Sequence, residues 1–208
     1  QARALYLRGE FKESLRAAND AVAADDRLGP AYELRARLWH VFGDPARQKQ
    51  DAERTLSLIA EGSLGAEELI AVGGAHLLLS QIAKAQTALD AAVQVSKRSG
   101  EALAARARAW RAARDRARAK DVIDEALRTD PKVPLWLYTR ARDHYELGED
   151  AKAVSDLAAA LRVNKSFPIA YGLIGAALAR QGDYARALKA YDRAATLVIY
   201  RFQLGADT

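Results

Sequence analysis

The feature that most constrains the fold is a pattern that recurs every 34 residues along the chain. Four times in succession, an alanine is followed four positions later by a large residue and three positions after that by a second alanine. The first alanines of these four sets are Ala85, Ala119, Ala153 and Ala187. Such a period indicates stacked copies of one supersecondary unit, each burying its apolar face on its neighbours.

The upstream half of each unit repeats too, with a large residue followed four positions later by a small one. These pairs are Leu69 with Gly73, Leu103 with Ala107, Leu137 with Ala141, and Tyr171 with Gly175. Turn-forming residues separate the two halves, as at 148–150 and 182–184. Apolar residues spaced by three and four positions predict amphipathic helices. Each unit is therefore predicted to be two helices of roughly three to four turns, joined by a tight turn.

The composition also predicts an all-α protein. Alanine, the best helix former, accounts for 46 of the 208 residues, beside only 5 Pro and 13 Gly. Proline is tolerated in the first turn of a helix and is damaging inside one. We expect one proline in an inter-unit turn, Pro131, and four at helix starts, namely Pro30, Pro45, Pro134 and Pro168.

With these residues in place, the chain resembles an array of tetratricopeptide repeats over essentially its whole length. The last full unit is similar to the family pattern through Tyr171, Gly175, Gly182, Tyr184, Ala187, Tyr191 and Ala194. The chain departs from the pattern at two turn glycines, replaced by Ser80 and Arg114, and at two second-helix alanines, replaced by Ser14 and Gln48. The resemblance implies an all-α, right-handed α-solenoid of helix-turn-helix repeats.

The repeat register divides the single predicted array as follows. A partial repeat covers 1–28, five fuller repeats cover 29–65, 66–99, 100–133, 134–167 and 168–201, and a tail covers 202–208. The register slips by three residues near 61–65. Because a solenoid needs polar caps, the apolar residues from Leu197 to Leu204 are unexpected at its end. We expect a segment of a longer array, a tail that packs as a cap, or a tail that docks on another chain.

Several classes of chemistry find no support in the sequence. The chain has no cysteine and no nucleotide-binding, hydrolase or zinc-protease motif, so we predict no catalytic residue, no metal and no cofactor. The histidines His40, His76 and His144 lie in three different repeats and are interpreted as partly buried helix residues with local hydrogen bonds. Glycines within predicted helices, at 73, 74, 172 and 175, are attributed to close helix packing.

Composition leaves the compartment open between cytoplasm and periplasm, since a protein of either can lack cysteine. The longest apolar runs are far shorter than the ~20 residues needed to cross a bilayer. We therefore expect no membrane span.

The resemblance implies that ligands bind on the concave face made by the first helices of the repeats. Arginine and tyrosine are enriched in binding hot spots, and arginine can hold a carboxylate through two parallel hydrogen bonds. Because Arg108 and Arg142 occupy equivalent slots of adjacent repeats, we expect them side by side, while a solvated helix face remains an alternative for these arginines. The predicted partner-binding groove comprises Arg37, Arg108, Arg111, Tyr138, Arg142 and Tyr145.

The charge is unevenly distributed. Residues 100–133 hold nine basic and six acidic side chains and 168–208 hold five and three, which accounts for the whole net charge of +5. An acidic protein segment is the preferred partner. Nucleic acid is disfavoured because the excess is small and no nucleic-acid motif is present. The Lys and Asn clamp by which some family members hold a C-terminal carboxylate is missing too, since its slots hold Glu33, Arg37, Gly74 and Glu101.

We therefore predict a protein–protein interaction scaffold that binds a partner segment in the concave groove and is not an enzyme. One alternative is a self-assembling scaffold that forms homo-oligomers through its terminal repeats. Another is a docking or regulatory arm of a larger bacterial envelope or polysaccharide-export protein.

Overall fold

The structure is a computed structural model that describes residues 1–59 and 64–203, with side chains described to residue 197. This part of the chain forms twelve helices and no strand. The helices are α1 Ala2–Arg8, α2 Phe11–Ala24, α3 Gly29–Phe42, α4 Pro45–Leu58, α5 Ala66–Leu78, α6 Ile82–Val95, α7 Gly100–Ala112, α8 Arg116–Thr129, α9 Pro134–Glu146, α10 Asp150–Val163, α11 Pro168–Arg180 and α12 Tyr184–Gln203.

The helices pack as consecutive antiparallel pairs, which confirms the all-α solenoid fold. In five pairs, α3 lies on α4, α5 on α6, α7 on α8, α9 on α10 and α11 on α12. The chain forms two compact units. The first contains residues 1–6 and 11–130, and the second contains residues 7–10 and 131–208. Within the first unit, α2 also packs on α3, α4 on α5 and α6 on α7, and within the second α10 packs on α11.

The recurring alanines form the core, as the sequence predicts. Ala85, Ala119 and Ala153 are fully buried, and Ala187 is nearly so. In the first unit Ala36, Ala52 and Ala75 form one cluster that joins α3, α4 and α5. Small side chains at these points let the helix axes approach, while leucines such as Leu56 and Leu78 fill the space around them.

Glycine serves the same purpose where a second helix crosses its first. A Cβ atom added at Gly73 would overlap the side chain of Leu89, and one at Gly175 would lie 2.6 Å from the ring of Tyr191. Close packing therefore explains these two glycines. It does not explain Gly172, where a Cβ atom would meet nothing within 4 Å, so that part of the expectation is wrong.

The turn between the helices of a repeat uses a left-handed residue each time. Gly9, Gly43, Gly148 and Gly182 have φ between 74° and 81°. The two departures from glycine, Ser80 and Arg114, keep the same conformation with φ of 60° and 62°. A side chain with a Cβ atom is strained there, so these two turns retain the geometry of the repeat at an energetic cost.

The two departures from alanine in the second helices are hydrogen-bonded. The hydroxyl of Ser14, which is fully buried, donates to the carbonyl oxygen of Ala2 at 2.8 Å. The side-chain amide of Gln48 donates to the carbonyl oxygen of Leu78 at 3.1 Å and so links α4 to the end of α5. Each polar side chain replaces a methyl contact with a tie between helices.

The helix starts are placed by proline and by capping carboxylates. Pro30, Pro45, Pro134 and Pro168 all lie in the first turn of a helix, as expected. Asp44 and Asp115 accept hydrogen bonds from backbone N–H groups three residues later, which satisfies donors that the helix leaves free. The register slip near 61–65 lies mostly outside the described residues, and so do the side chains of the apolar tail beyond Leu197.

Candidate functional site

The first helices α3, α5 and α7 meet on one face of the first unit, which we call the first-helix face (Glu33, Arg37, Gly74, Arg108 and Arg111). Glu33 of α3 is fully buried there. Its carboxylate fills the space in which a Cβ atom at Gly74 of α5 would lie. Arg108 of α7 lies close enough to Glu33 and Arg37 for the charge of each to shift its pKa.

Arg37 compensates the buried carboxylate. Its guanidinium lies 2.8 Å from Oε2 of Glu33 and also stacks over the ring of Tyr6, with 4.6 Å from Cζ to the ring centroid. Burial, the largest single effect, lowers the pKa of Arg37, but the charge and hydrogen bond of Glu33 together with Tyr6 and Glu101 outweigh it, so the pKa is raised. Arg37 and Glu33 therefore form one charged pair that is fixed in the fold.

The positive charge of Arg108 is balanced by nearby negative charge much less fully than that of Arg37. Burial lowers its pKa, and the positive charge of Arg37 lowers it further, against the weaker opposing effect of Glu33. Arg111, one turn later on α7, also acts in the lowering direction. No carboxylate of the described residues forms an ion pair with Arg108. The first-helix face thus carries a surplus of positive charge in a poorly solvated place, where an anion is favoured.

Acidic residues lie beside this face, at the start of α5 and of α7. Glu67 and Glu101 occupy the first turns of these helices, where the helix dipole favours negative charge. Both bind Arg3 of α1, with 3.1 Å from its Nη2 to Oε1 of Glu67 and 3.3 Å from its Nη1 to Oε2 of Glu101. The first-helix face is therefore basic at its centre, at Arg108 and Arg111, and acidic at its edge, at Glu67 and Glu101.

The candidate residues of the second unit all lie on α9. The ring of Tyr138 is 5.7 Å from that of Phe167, centroid to centroid. The guanidinium of Arg180 lies over the ring of Tyr145 at 3.9 Å and also binds Asp150. Nε of Arg142 is buried. Both tyrosines therefore have packing partners within their own unit.

The structure brings together three of the six predicted groove residues, Arg37, Arg108 and Arg111. Arg108 and Arg142 belong to different compact units, so their predicted adjacency remains a prediction. The sequence interpretation missed Arg3 and Tyr6. The repeat period could have found them, since they lie 34 residues before Arg37 and His40.

Other first-helix arginines are structural. Arg35 binds Asp51 through two hydrogen bonds of 2.7 and 2.8 Å, and Arg140 binds Asp156 through two of 2.7 Å. Both aspartates are buried in the second helix of the same repeat. These arginines tie the two helices of a repeat together.

The histidines make the local hydrogen bonds expected of them. His40 pairs with Gln48 at 3.0 Å, His76 with Gln81 at 2.7 Å and His144 with Glu149 at 2.5 Å. His144 is buried and His76 is half-buried, but His40 is exposed. Residues 1–59 and 64–197 contain no group of three acidic or histidine side chains placed to hold a metal ion. None of the described helices is long and apolar enough to span a bilayer.

Comparison with known proteins agrees with the repeat architecture. Residues 138–201 match the sequence profile of the tetratricopeptide repeat family. The fold is similar to a chain in the crystal structure of the APC/C hetero-tetramer Cut9–Hcn1, with a TM-score of 0.74 and 18% identity over 95% of this chain. This chain spans only 37% of that relative's length.

Two further solved structures are similar over most of their length. A tetratricopeptide repeat protein from Parabacteroides merdae ATCC 43184 has a TM-score of 0.64 and 19% identity over 93% of this chain and 74% of its own. YrrB, described as a tetratricopeptide repeat protein with an unusual peptide-binding site, has a TM-score of 0.57 and 15% identity over 87% of this chain and 92% of its own. At these identities the likeness concerns the fold.

Proposed function

Because the chain is an array of tetratricopeptide repeats, a fold that supports protein–protein interaction scaffolds, we propose that it binds an acidic segment of a partner protein on the first-helix face. Repeats of this kind are typically non-enzymatic scaffolds. The proposed contacts are made by Arg108 and Arg111, beside the fixed pair of Arg37 and Glu33.

This proposal rests on the electrostatic surroundings of the Arg108 guanidinium. A poorly solvated guanidinium next to a second cation is unfavourable in the free protein. A partner carboxylate would supply the missing negative charge, and two parallel hydrogen bonds to one guanidinium would fix its orientation. Binding would therefore be favoured, because the partner's negative charge would offset the repulsion between Arg108 and Arg37.

The description of YrrB as having a peptide-binding site shows that a protein of similar fold takes a peptide. We extend this to the present chain on the basis of charge. Within the second unit, we propose Arg142 and the rings of Tyr138 and Tyr145, which the packing with Phe167 and Arg180 leaves half-exposed, as partner contacts of that unit in their own right.

The test uses a fluorescein-labelled peptide in which Asp and Glu flank a Trp, and a neutral version in which Asn and Gln replace the acids. Fluorescence anisotropy should show that the full chain prefers the acidic peptide, and that added salt weakens this preference. Arg108→Gln should weaken binding of the acidic peptide about tenfold, the effect of losing roughly one charge-assisted contact.

The matched control is Arg16→Gln. It removes the same charge from α2 of the same unit, at an exposed position. Equal losses from the two variants would mean that only net charge matters, and no loss from Arg108→Gln would remove the assignment of the face.

A second candidate function, self-assembly, is favoured by an apolar stripe on α12. Tyr184, Leu188 and Tyr191 are exposed to 72%, 62% and 43% at successive turns. The equivalent of Tyr191 in the three preceding repeats is fully buried, at Leu89, Ile123 and Leu157. A stripe of this kind is suited to packing against another helix pair, such as that of a second copy.

Light scattering of the full chain against concentration tests self-assembly. Leu188→Glu should abolish any increase in mass with concentration, because it places a charge in the middle of the stripe. Lys189→Glu, at the exposed neighbouring position, introduces the same acid outside it and is the control. A monomer at all concentrations, or equal behaviour of both variants, would reject this candidate.

A further inference from the structure

The turns between the two helices of a repeat carry a surplus of positive charge in the first compact unit. Three equivalent turns of that unit, 43–47, 80–84 and 114–118, hold five basic and two acidic side chains. The corresponding turns of the second unit, 148–152 and 182–186, hold two basic and three acidic side chains. The surplus therefore belongs to the first unit and not to the repeat pattern as such.

Each of the three turns places one cation at the same point, in the first turn of the second helix. These cations are Arg47, Lys84 and Arg118. Helices of adjacent repeats pack about 8–10 Å apart, so the three turns follow one another along one edge of the unit. The hydrogen bond from Gln48 to Leu78 joins the first two turns. We call this row the turn edge, and its exposed apolar and basic residues are Val41, Phe42, Arg47, Lys84, Arg114 and Arg118.

Two of the cations are held in place by tryptophan rings. Cζ of Arg47 lies 4.9 Å from the ring centroid of Trp39, and Cζ of Arg118 lies 4.8 Å from that of Trp110. The two arginine side chains nevertheless stay 63% and 64% exposed. Each also contacts the capping carboxylate of its helix, but that carboxylate accepts a hydrogen bond from the arginine's own backbone N–H as well. The rings therefore orient two guanidinium groups whose outer sides face solvent.

Arg114 occupies a turn position at which glycine would be unstrained. Its φ is 62°, and the equivalent residues Gly43, Gly148 and Gly182 are glycines with similar φ. A Cβ atom in this region destabilises the fold, and strain of this kind persists where the side chain serves a function. Because the side chain of Arg114 is exposed, that function is a contact with something outside the unit.

Apolar side chains accompany the cations at the same edge. Val41 and Phe42, at the end of α3, are 41% and 48% exposed and lie in the sequence just before the turn that carries Arg47. Exposed apolar and aromatic groups beside cations are typical of proteins that meet the headgroup region of a membrane. Arginine and lysine near such a surface are attracted by anionic lipids.

We propose that the turn edge of the first unit binds the surface of an anionic phospholipid membrane. The four cations bind lipid phosphate groups, and Val41 and Phe42 enter the headgroup region. A row along an exposed edge can meet a flat surface along its whole length. Single-stranded nucleic acid fits less well, because its bases stack on open aromatic faces and the arginines cover those of Trp39 and Trp110.

Flotation of the full chain with lipid vesicles tests the proposal. Vesicles of equal parts phosphatidylglycerol and phosphatidylcholine should bind the chain about a hundredfold more tightly than vesicles of phosphatidylcholine alone, as expected for a surplus of about three charges. Added salt should weaken the binding. Equal binding to the two kinds of vesicle would overturn the proposal.

Arg114→Gly separates binding from stability. It removes one charge and one strained Cβ atom, so it should weaken binding to the anionic vesicles about fivefold while the melting temperature rises. Ser80→Gly is the matched control, because it relieves the same strain in the neighbouring turn and leaves the charge unaltered. It should bind the vesicles as the unchanged chain does. Equal affinities of the two variants would contradict a role for Arg114 at the membrane.

Val41→Ser separates a lipid surface from a dissolved polyanion. It should weaken vesicle binding about fourfold, the effect of burying roughly one methylene group fewer. Val95→Ser removes the same group from an exposed position at the far end of α6 and should have no effect. Equal effects of the two valine variants would overturn the lipid assignment. Single-stranded DNA that binds the chain as tightly as the anionic vesicles do, and loses as much affinity from Arg114→Gly, would overturn it too.

Discussion

The carboxylate of Glu33 and the missing side chain of Gly74 share one space. A Cβ atom at position 74 would overlap this carboxylate, which is fully buried between α3 and α5. The glycine is therefore what allows a charged side chain to lie between two helices of adjacent repeats. The pair with Arg37, and hence the surplus charge on Arg108, depends on this arrangement.

Gly74→Ala should lower the free energy of unfolding by about 2 kcal/mol, because the methyl group overpacks a site whose carboxylate has little freedom to move. Gly172→Ala is the control, since position 172 is also inside a helix but faces open space. It should stabilise the protein by about 0.5–1 kcal/mol through higher helix propensity. Urea denaturation measures both, and a neutral Gly74→Ala would contradict the close contact.

Glycine in place of Ser80 or Arg114 should stabilise the protein by removing strain from the turn. Ser80→Gly and Arg114→Gly each remove a Cβ atom from a left-handed residue, so each should raise the free energy of unfolding by roughly 0.5–1 kcal/mol. Gly148→Ala at the equivalent turn should lower it by about 1 kcal/mol. Thermal melts would decide, and a fall in melting temperature for both glycine variants would show that the turns are not strained.

The buried aspartate of the first full repeat should matter far more than an exposed one nearby. Asp51→Ala leaves Arg35 without its partner and removes the acceptor of the Trp39 indole N–H, so it should cost about 3 kcal/mol or more. Glu53→Ala breaks an exposed pair with Lys49 and should cost less than about 0.5 kcal/mol. Similar losses for the two variants would disprove the structural role of Arg35.

Acid should destabilise the protein through Glu149. Its hydrogen bonds with Lys152 and His144 hold the pKa of this carboxyl below its ordinary value of 4.5. Since the unfolded chain takes up the proton first as pH falls, the stabilisation is complete above pH 4.5 and is lost as pH drops through the lowered pKa. The melting temperature of Glu149→Gln should therefore fall less steeply below this pH than that of the unchanged chain.

Much of the fold could be predicted because it depends on local periodicity. The spacing of Ala85, Ala119 and Ala153 identifies the buried side of each second helix without knowledge of its neighbours. The position of Pro134 likewise marks a helix start by steric exclusion alone.

The site was less predictable because its properties arise from packing. The repeat register places Arg35 and Arg108 on first helices alike, but only the fold shows that Arg35 has a buried aspartate and that Arg108 has a second arginine as neighbour. The period places Tyr6 and Arg37 on first helices of neighbouring repeats, but only the fold shows that the ring of Tyr6 lies against the guanidinium of Arg37.

The fold holds the guanidinium of Arg108 in a poorly solvated place beside the positive charge of Arg37, and we expect a partner's carboxylate to relieve this repulsion. Stability and affinity should be measured together for Arg108→Met, with Arg37→Met for comparison. Arg37→Met leaves the buried carboxylate of Glu33 without its ion-pair partner, so it should lower the free energy of unfolding by about 3 kcal/mol or more. Arg108→Met should leave the free energy of unfolding unchanged or higher while the acidic peptide binds about tenfold more weakly. Lower stability with unchanged affinity would show that Arg108 stabilises the fold and does not bind the partner.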